Sequence, residues 1–565
     1  MEKRILSVIA AGCLILGCAA ESRTTATGNG MGDAGGDTDT DIDSDADGDS
    51  DGDSDIDTDV DGGSAVDAPA TCEEAIATRS NIGCEYWAAD LDNAENNILP
   101  ILGDNAAGGQ FAVAVANIGI HGPAHVEVHI NNAEQGDALD LELVEEADVD
   151  EKDLYIFRLP RRDVDGDNVT KGVDDGAQTW LSSRAFRVTS DVPVVAYQFN
   201  PLNQMSSNDA SLLLPTSGLG RDHLVVGYSP SGPVGDMGLL PGPKNRGYVT
   251  ILGTEEETVV DVTPSYGIVA GEGIDEIKAG EQATFTIGPF DVINLETKFM
   301  TLGGREPDLT GTTVHSDKPV AVFFGVDLAM IGVDTGVEES CCAEHLEQQI
   351  LPSEAMGEKF VVSHSAQRNS GSPEPDMYRI IAYANGTQVT TSLPAPNDAF
   401  TLEAGEYREF FSTTGFVVES RGPLHVAQFL VIGTEVSPTQ GDSSLLYVPA
   451  ADQRRGLYVF TTAKGFGTNW AVISMPQGTQ VMIDGVEVTA DPNCNGPRVD
   501  GDLEGITYEE WTCKVDDGVH TVHSGSSSEN ANTKIGVFVY GYYYAGSYSY
   551  PAGSDLREIN EVIVK

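Results

Sequence analysis

The segment Ser190-Asp-Val-Pro-Val-Val-Ala-Tyr-Gln-Phe199 returns as Ser316-Asp-Lys-Pro-Val-Ala-Val-Phe-Phe324 and as Ser420-Arg-Gly-Pro-Leu-His-Val-Ala-Gln-Phe429. A fourth version, Lys534-Ile-Gly-Val-Phe-Val-Tyr540, lacks the proline. Each reads as an edge turn followed by a buried strand, with the proline at the strand start, where its missing N–H costs no ladder bond. A second recurring element reads as a hairpin. It is Phe111–Gly119 with Ala124–Ile130, Tyr248–Thr254 with Thr258–Val262, Tyr378–Val389, and Ala471–Val481. Asn385-Gly386 supplies the turn signal, since both residues tolerate positive φ. A third element joins the copies: Leu213-Leu-Pro215 before Leu224-Val-Val226, Leu351-Pro352 before Phe360-Val-Val362, and Val448-Pro449 before Tyr458-Val-Phe460.

Between these elements, short Val/Ile/Tyr/Phe runs alternate with Gly, Pro, Asn and Asp clusters, and no long run has helical periodicity. The fold class is therefore all-β. The copies are roughly 105–125 residues apart with about seven strands each, a size nearer a sandwich than a propeller blade. The expected architecture is four tandem, mutually packed β-sandwich (Ig-like) units at 72–207, 208–340, 341–445 and 446–565. A β-propeller with two four-stranded blades per repeat is the alternative.

Upstream of the repeats the texture differs. Lys3 and Arg4 precede an apolar run, Ile5–Gly17, too short to span a bilayer and of signal-peptide length. The run ends Ile15-Leu-Gly-Cys18, which looks like a lipobox, so residues 1–18 are expected to be a lipoprotein signal peptide with Cys18 lipidated. No aspartate follows Cys18, and the expected location is the outer membrane or cell surface, held through the N-terminal lipid. Residues 19–71 form a tether in which every second residue from Asp37 to Asp61 is aspartate. Like charges without an apolar face bury nothing, so the tether is expected to be disordered and extended. Two pieces of it, Asp47–Gly52 and Asp57–Gly62, match the front half of a calcium loop without the acid at position 12.

The 565-residue chain carries a formal net charge of -58. Such a chain repels nucleic acid and anionic lipid headgroups and favours cations. Of its eight cysteines, Cys13 leaves with the signal and Cys18 carries lipid. In an oxidising compartment the rest read as disulfides: Cys72–Cys84, Cys494–Cys513 and the adjacent pair Cys341–Cys342. Sequence alone leaves the connectivity open, and a zinc site lacks the usual Cys/His spacing.

No hydrolase elbow, zinc-protease pair, Walker loop or dinucleotide fingerprint is present, so no catalytic residue and no enzymatic activity is expected. His125 and His129 share one strand face with Glu127 between them, which reads first as an exposed face and second as a metal pair. His345, beside Glu344 and Cys341-Cys342, reads as part of a braced loop. The sequons at Asn168 and Asn385 carry little weight in a chain expected to be a bacterial lipoprotein. The sharpest site is calcium. Asp163, Asp165, Asp167 and Asp174 occupy loop positions 1, 3, 5 and 12, with the Val169 carbonyl at position 7 and Asn168 in place of the usual glycine. The stretch Asp491–Asp502 has similar spacing but contains prolines and Cys494.

Several blocks resemble the IgGFc-binding protein N-terminal domain family: Leu212-Leu-Leu-Pro-Thr-Ser-Gly-Leu-Gly220, Asp308–Val320, Glu344-His-Leu-Glu-Gln-Gln-Ile-Leu-Pro352, Val537–Tyr542 and Ser549-Tyr-Pro-Ala-Gly553. The likeness covers most of residues 80–555 and is to the family's bacterial members, of the myxobacterial type. It implies a secreted, non-enzymatic binding or structural module, and it carries no Fc-contact residue over to this chain. The expected function is a surface-displayed adhesion or ligand-binding lipoprotein with a protein or glycan partner. The alternative is a structural envelope or extracellular-matrix protein that self-associates with calcium.

Overall fold

Each Ser-x-x-Pro segment lies inside one long strand whose two halves pair with different neighbours. The computed structural model describes residues 68–560 except 95–105, 120–121, 167–178, 203–206, 233–244, 302–303, 333–342, 369–373, 434–439, 463–464, 529–530 and 544–545. The lipobox, the tether up to residue 67 and Cys341–Cys342 lie outside the described residues.

The first repeat holds β1 (Gly83–Ala88), β2 (Ala112–Asn117), β3 (Ala124–Asn131), β4 (Leu141–Val149), β5 (Leu154–Arg158), β6 (Trp180–Ser182), β7 (Phe186–Asn200) and β8 (Asp209–Leu212). The second holds β9 (Gly220–Leu224), β10 (Gly247–Gly253), β11 (Thr258–Thr263), β12 (Ala283–Ile287), β13 (Val292–Glu296), β14 (Thr313–Ala329) and β15 (Glu344–Gln349). The third holds β16 (Gly357–Val362), β17 (Asp376–Ala382), β18 (Thr387–Thr391), β19 (Ala399–Leu402), β20 (Tyr407–Ser412), β21 (Phe416–Phe429) and β22 (Leu445–Tyr447). The fourth holds β23 (Leu457–Thr462), β24 (Thr468–Pro476), β25 (Val481–Ile483), β26 (Val486–Glu487), β27 (Cys494–Leu503), β28 (Ile506–Val515), β29 (Gly518–Ser524), β30 (Gly536–Tyr542) and β31 (Ser547–Pro551). A short helix, α1 (Cys72–Thr78), precedes them, capped by the Thr71 side chain, which accepts from the Glu74 N–H. All sheets are antiparallel, and the all-β expectation holds.

The proline does not start its strand. In β7, residues up to Ser190 pair with β1 and β3, and residues from Val194 pair with β2 and β8, Val194 also standing opposite Gly83 at the start of β1. Pro193 stands in the register break between the two. Pro319 in β14 and Pro423 in β21 hold the same place. A bulge tolerates a residue without an N–H and bends the strand, so that its two halves pair with different neighbours. The preceding serine stabilises that bend: Ser316 Oγ donates to the Lys318 carbonyl and Ser420 Oγ to that of Gly422, each at 2.7 Å. In the fourth repeat, which lacks the proline, the strand is divided outright into β29 and β30.

The expected hairpin is also corrected. β10 and β11 do not pair with each other; both run antiparallel to β14, along its two halves. Asn385-Gly386, with Gly386 at φ 69°, turns the chain around that corner without reversing it.

Two-faced burial follows from this layout. In β7, Val195, Tyr197 and Phe199 face a core shared with the fourth repeat, while Val194 and Ala196 face one shared with the second. Further cores join the second repeat to the third and the third to the fourth. Four repeats thus close into a ring instead of running in series. The last segment completes it: the Asn81 N–H donates to the Ser554 carbonyl and the Leu556 N–H to that of Arg79. Gly83 and Gly220 begin the first strands of their repeats where a Cβ would lie 2.3 Å from Cβ of Pro215 and Pro352. The bare backbone lets the joining segment pass there.

The innermost strands meet at the axis. β8 lies against β15 and β31, and β22 against β15 and β31. Hydrogen bonding assigns β8, β15 and β22 to the sheets before them, a few residues past 208, 341 and 446, and β6 to the second repeat's sheet. Their side chains knit all four repeats. Ser444 Oγ donates to Asp209 Oδ1 (2.9 Å) and contacts Ser549 Oγ (2.7 Å). Gln348 Nε2 donates to the carbonyls of Ala210 (2.7 Å) and Ser549 (2.9 Å).

Candidate metal centre between the first and second repeats

The loop after β5 carries Asp163 and Asp165 inward. It is pinned by the Val164 N–H to the Asp90 carbonyl (3.0 Å) and by the Arg162 N–H to Asp90 Oδ2 (2.9 Å). The segment after β1 brings Asp92, whose carbonyl accepts from Tyr248 Oη at 2.6 Å. From the second repeat come Glu296, at the end of β13, and Asp327, near the end of β14. All five acids are buried.

One oxygen each from Asp92, Asp165 and Glu296 lies within 4.8 Å of the others. Burial first, and then the neighbouring Asp327, Asp165, Glu296 and Asp163, hold the Asp92 carboxyl well above the usual carboxylate range. Burial also raises Asp163, against the pull of Asp165 and Arg161. Arg161 Nη2 lies 3.1 Å from Asp163 Oδ2, and Arg246 Nε lies 3.5 Å from Glu296 Oε2. Asn294 Nδ2 donates to Glu296 Oε1 (3.1 Å), and the Arg246 N–H to Asp327 Oδ2 (2.8 Å). Converging carboxylates in a buried interface fit a hard cation such as calcium, which takes about six to eight oxygens at roughly 2.3–2.6 Å.

Two of the residues read from the sequence, Asp163 and Asp165, are brought to this cluster. Asp167, Val169 and Asp174 lie outside the described residues. Asp92, Glu296 and Asp327 were not foreseen, because they are remote in sequence. One signal was present: Glu296 closes Val292-Ile-Asn-Leu-Glu296, a wholly buried strand, and a charge in such a run calls for a partner. The second acidic stretch is not a compact loop. Residues Cys494–Leu503 run as β27, with Asp500 buried and accepting from Ser363 Oγ (3.1 Å). His345 is fully buried, its Nδ1 3.0 Å from the Val326 carbonyl. The disulfides Cys72–Cys84 and Cys494–Cys513 are formed, the second between directly opposed residues of β27 and β28.

The family model described as IgGFc binding protein matches residues 209–541, more than half of the chain. The chain belongs to the IgGFc-binding family. That match starts at β8 and ends in β30, spanning the Asp308–Val320 and Glu344–Pro352 blocks. Membership marks the chain as a ligand-binding or adhesion-type module from a family of non-enzymatic binding domains. No curated protein and no solved structure gives a match.

Proposed function

We propose that this chain is a lipid-anchored surface protein that presents a four-repeat IgGFc-binding-type ring to a protein or glycan partner and does no catalysis. Membership of a binding-domain family carries the reading. The Ile15-Leu-Gly-Cys18 motif and the aspartate tether support display away from a membrane. In this reading calcium occupies the cluster of Asp92, Asp163, Asp165, Glu296 and Asp327 and clamps the first repeat to the second.

The test is cell fractionation and external proteolysis of the full-length chain and its Cys18→Ala variant, followed by glycan and cell pull-downs. The wild type should sit in the membrane fraction, be cleaved from outside and bind a partner saturably; Cys18→Ala should become soluble. An unchanged distribution would remove the anchor. Calcium-dependent self-assembly with no partner would favour the matrix role, for which the same acidic cluster supplies the calcium dependence.

A further inference from the structure

We propose that the outer face of β3 and β4 carries a second, chemically different metal site, of the zinc class, built from His125, Glu127 and Glu146. Strand alternation puts His125, Glu127 and His129 on one face of β3. Pairing places Asp148 opposite His125 and Glu146 opposite Glu127. His125 Nε2 lies 3.7 Å from Glu127 Oε1 and 4.0 Å from Glu146 Oε2, and the three ligand atoms fall within 4.8 Å of one another.

Three features favour a metal over a merely solvated face. Two glutamates directly opposed across an antiparallel pair repel each other unless a cation lies between them. His125 Nδ1 sits 2.8 Å from Asp148 Oδ1; in the neutral ring that donates its Nδ1–H to this carboxylate, the Nε2 lone pair is turned toward both glutamates, ready for a metal. That is the carboxylate–histidine arrangement that orients metal ligands. His129 Nε2, 3.9 Å from Glu127 Oε2, puts a second imidazole within reach.

The mixed nitrogen and oxygen set suits zinc, copper or nickel, whereas calcium takes oxygen alone. Ligands at about 2.0–2.2 Å around a tetrahedral zinc stand roughly 3.3–3.5 Å apart. The His125–Glu127 and His125–Glu146 separations of 3.7 and 4.0 Å need to shrink by about 0.2–0.7 Å, within rotamer adjustment for half-exposed side chains. Three protein ligands leave a fourth position open to water or to a donor from a partner surface. The face is also electrically suited to a cation: Asp191, whose Oδ1 accepts from the His125 N–H at 2.8 Å, adds a further carboxylate, while Arg187, opposite His129 on β7, stacks over Trp87 and Phe290.

The experiment is zinc calorimetry on the full-length protein in excess calcium, with cobalt absorption as a second readout. The wild type should bind one zinc ion saturably, without the sulfur-to-cobalt charge-transfer band that cysteine ligands would give. His125→Ala and Glu146→Gln, on different strands, should each weaken binding at least about 100-fold. Asp148→Asn should weaken it by roughly 10–100-fold. Asp92→Asn should leave zinc binding unchanged, so this site and the calcium reading fail separately. No saturable zinc binding, a thiolate band, or full-strength binding by His125→Ala and Glu146→Gln would overturn the proposal. Melting curves in chelator should show His125→Ala, Glu146→Gln and Asp148→Asn each folded and cooperative, since these side chains are at the surface.

Discussion

Two buried, acid-bearing regions of the ring hold their charge in different ways. At the axis, Asp209 accepts from the Glu347 N–H (3.1 Å) and from Ser444, while Glu347 accepts from Ser211 Oγ (3.1 Å) and Gln198 Nε2 (3.3 Å). Neutral donors from three repeats answer these carboxyls, and burial favours their protonated forms, with Glu347 pushed up to about 8. Between the first two repeats, Asp92 faces four other carboxylates. The first region is glue that needs nothing from outside. The second is a place where an added cation would convert repulsion into cohesion.

The largest expected effect breaks the axis. Gln348→Ala removes both bonds of an amide that ties the second repeat to the first and the fourth, leaving two buried carbonyls unanswered. It should cost about 2–4 kcal/mol with or without calcium, read from chemical denaturation. The acidic cluster should respond with the opposite sign. In chelator, Asp92→Asn removes one of several crowded carboxylates and should stabilise the protein by about 1–2 kcal/mol; with calcium present, the same change should be destabilising.

The pH dependence sharpens the contrast. Glu347 has a folded-state pKa raised above its unfolded value of about 4.5. Its contribution is therefore fully present below that pH and is lost as pH rises toward about 8. Glu347→Gln keeps the hydrogen-bonding shape without the proton, and should raise the melting midpoint at pH 8 while changing little at pH 4.5. On the acid side, burial lowers His345 and His425 to about 4 and His223 to about 3. These rings are folded in as neutral imidazoles. Their stability is present above about pH 6.5 and is lost as pH falls through those values. Replacing His425 by Gln should yield the smallest effect of this set, a modest flattening of the acid limb in a melting series.

The all-β class and two of the disulfides were legible because alternation, turn residues and cysteine spacing are local signals. Ring closure was not, since it depends on which faces of β7, β14, β21 and β30 meet, and both faces read as equally apolar. The proline misled for a physical reason: a residue lacking an N–H suits a strand start and a register break alike, and only the partners of Ser190 and Val194 tell them apart. The site was half legible. Asp163 and Asp165 stood out through their spacing, while Asp92, Glu296 and Asp327 became neighbours only when two repeats packed together.

Calcium calorimetry on the full-length protein, beside the double variant Asp92→Asn/Glu296→Gln, tests the central claim most directly. The account predicts one saturable site in the wild type that is absent from the double variant, above a weak non-saturating background from the acidic tether in both. Calcium at 100 times the dissociation constant should then stabilise only the wild type, by about 2.7 kcal/mol. No saturable heat in the wild type, or the same site intact in the double variant, would contradict it.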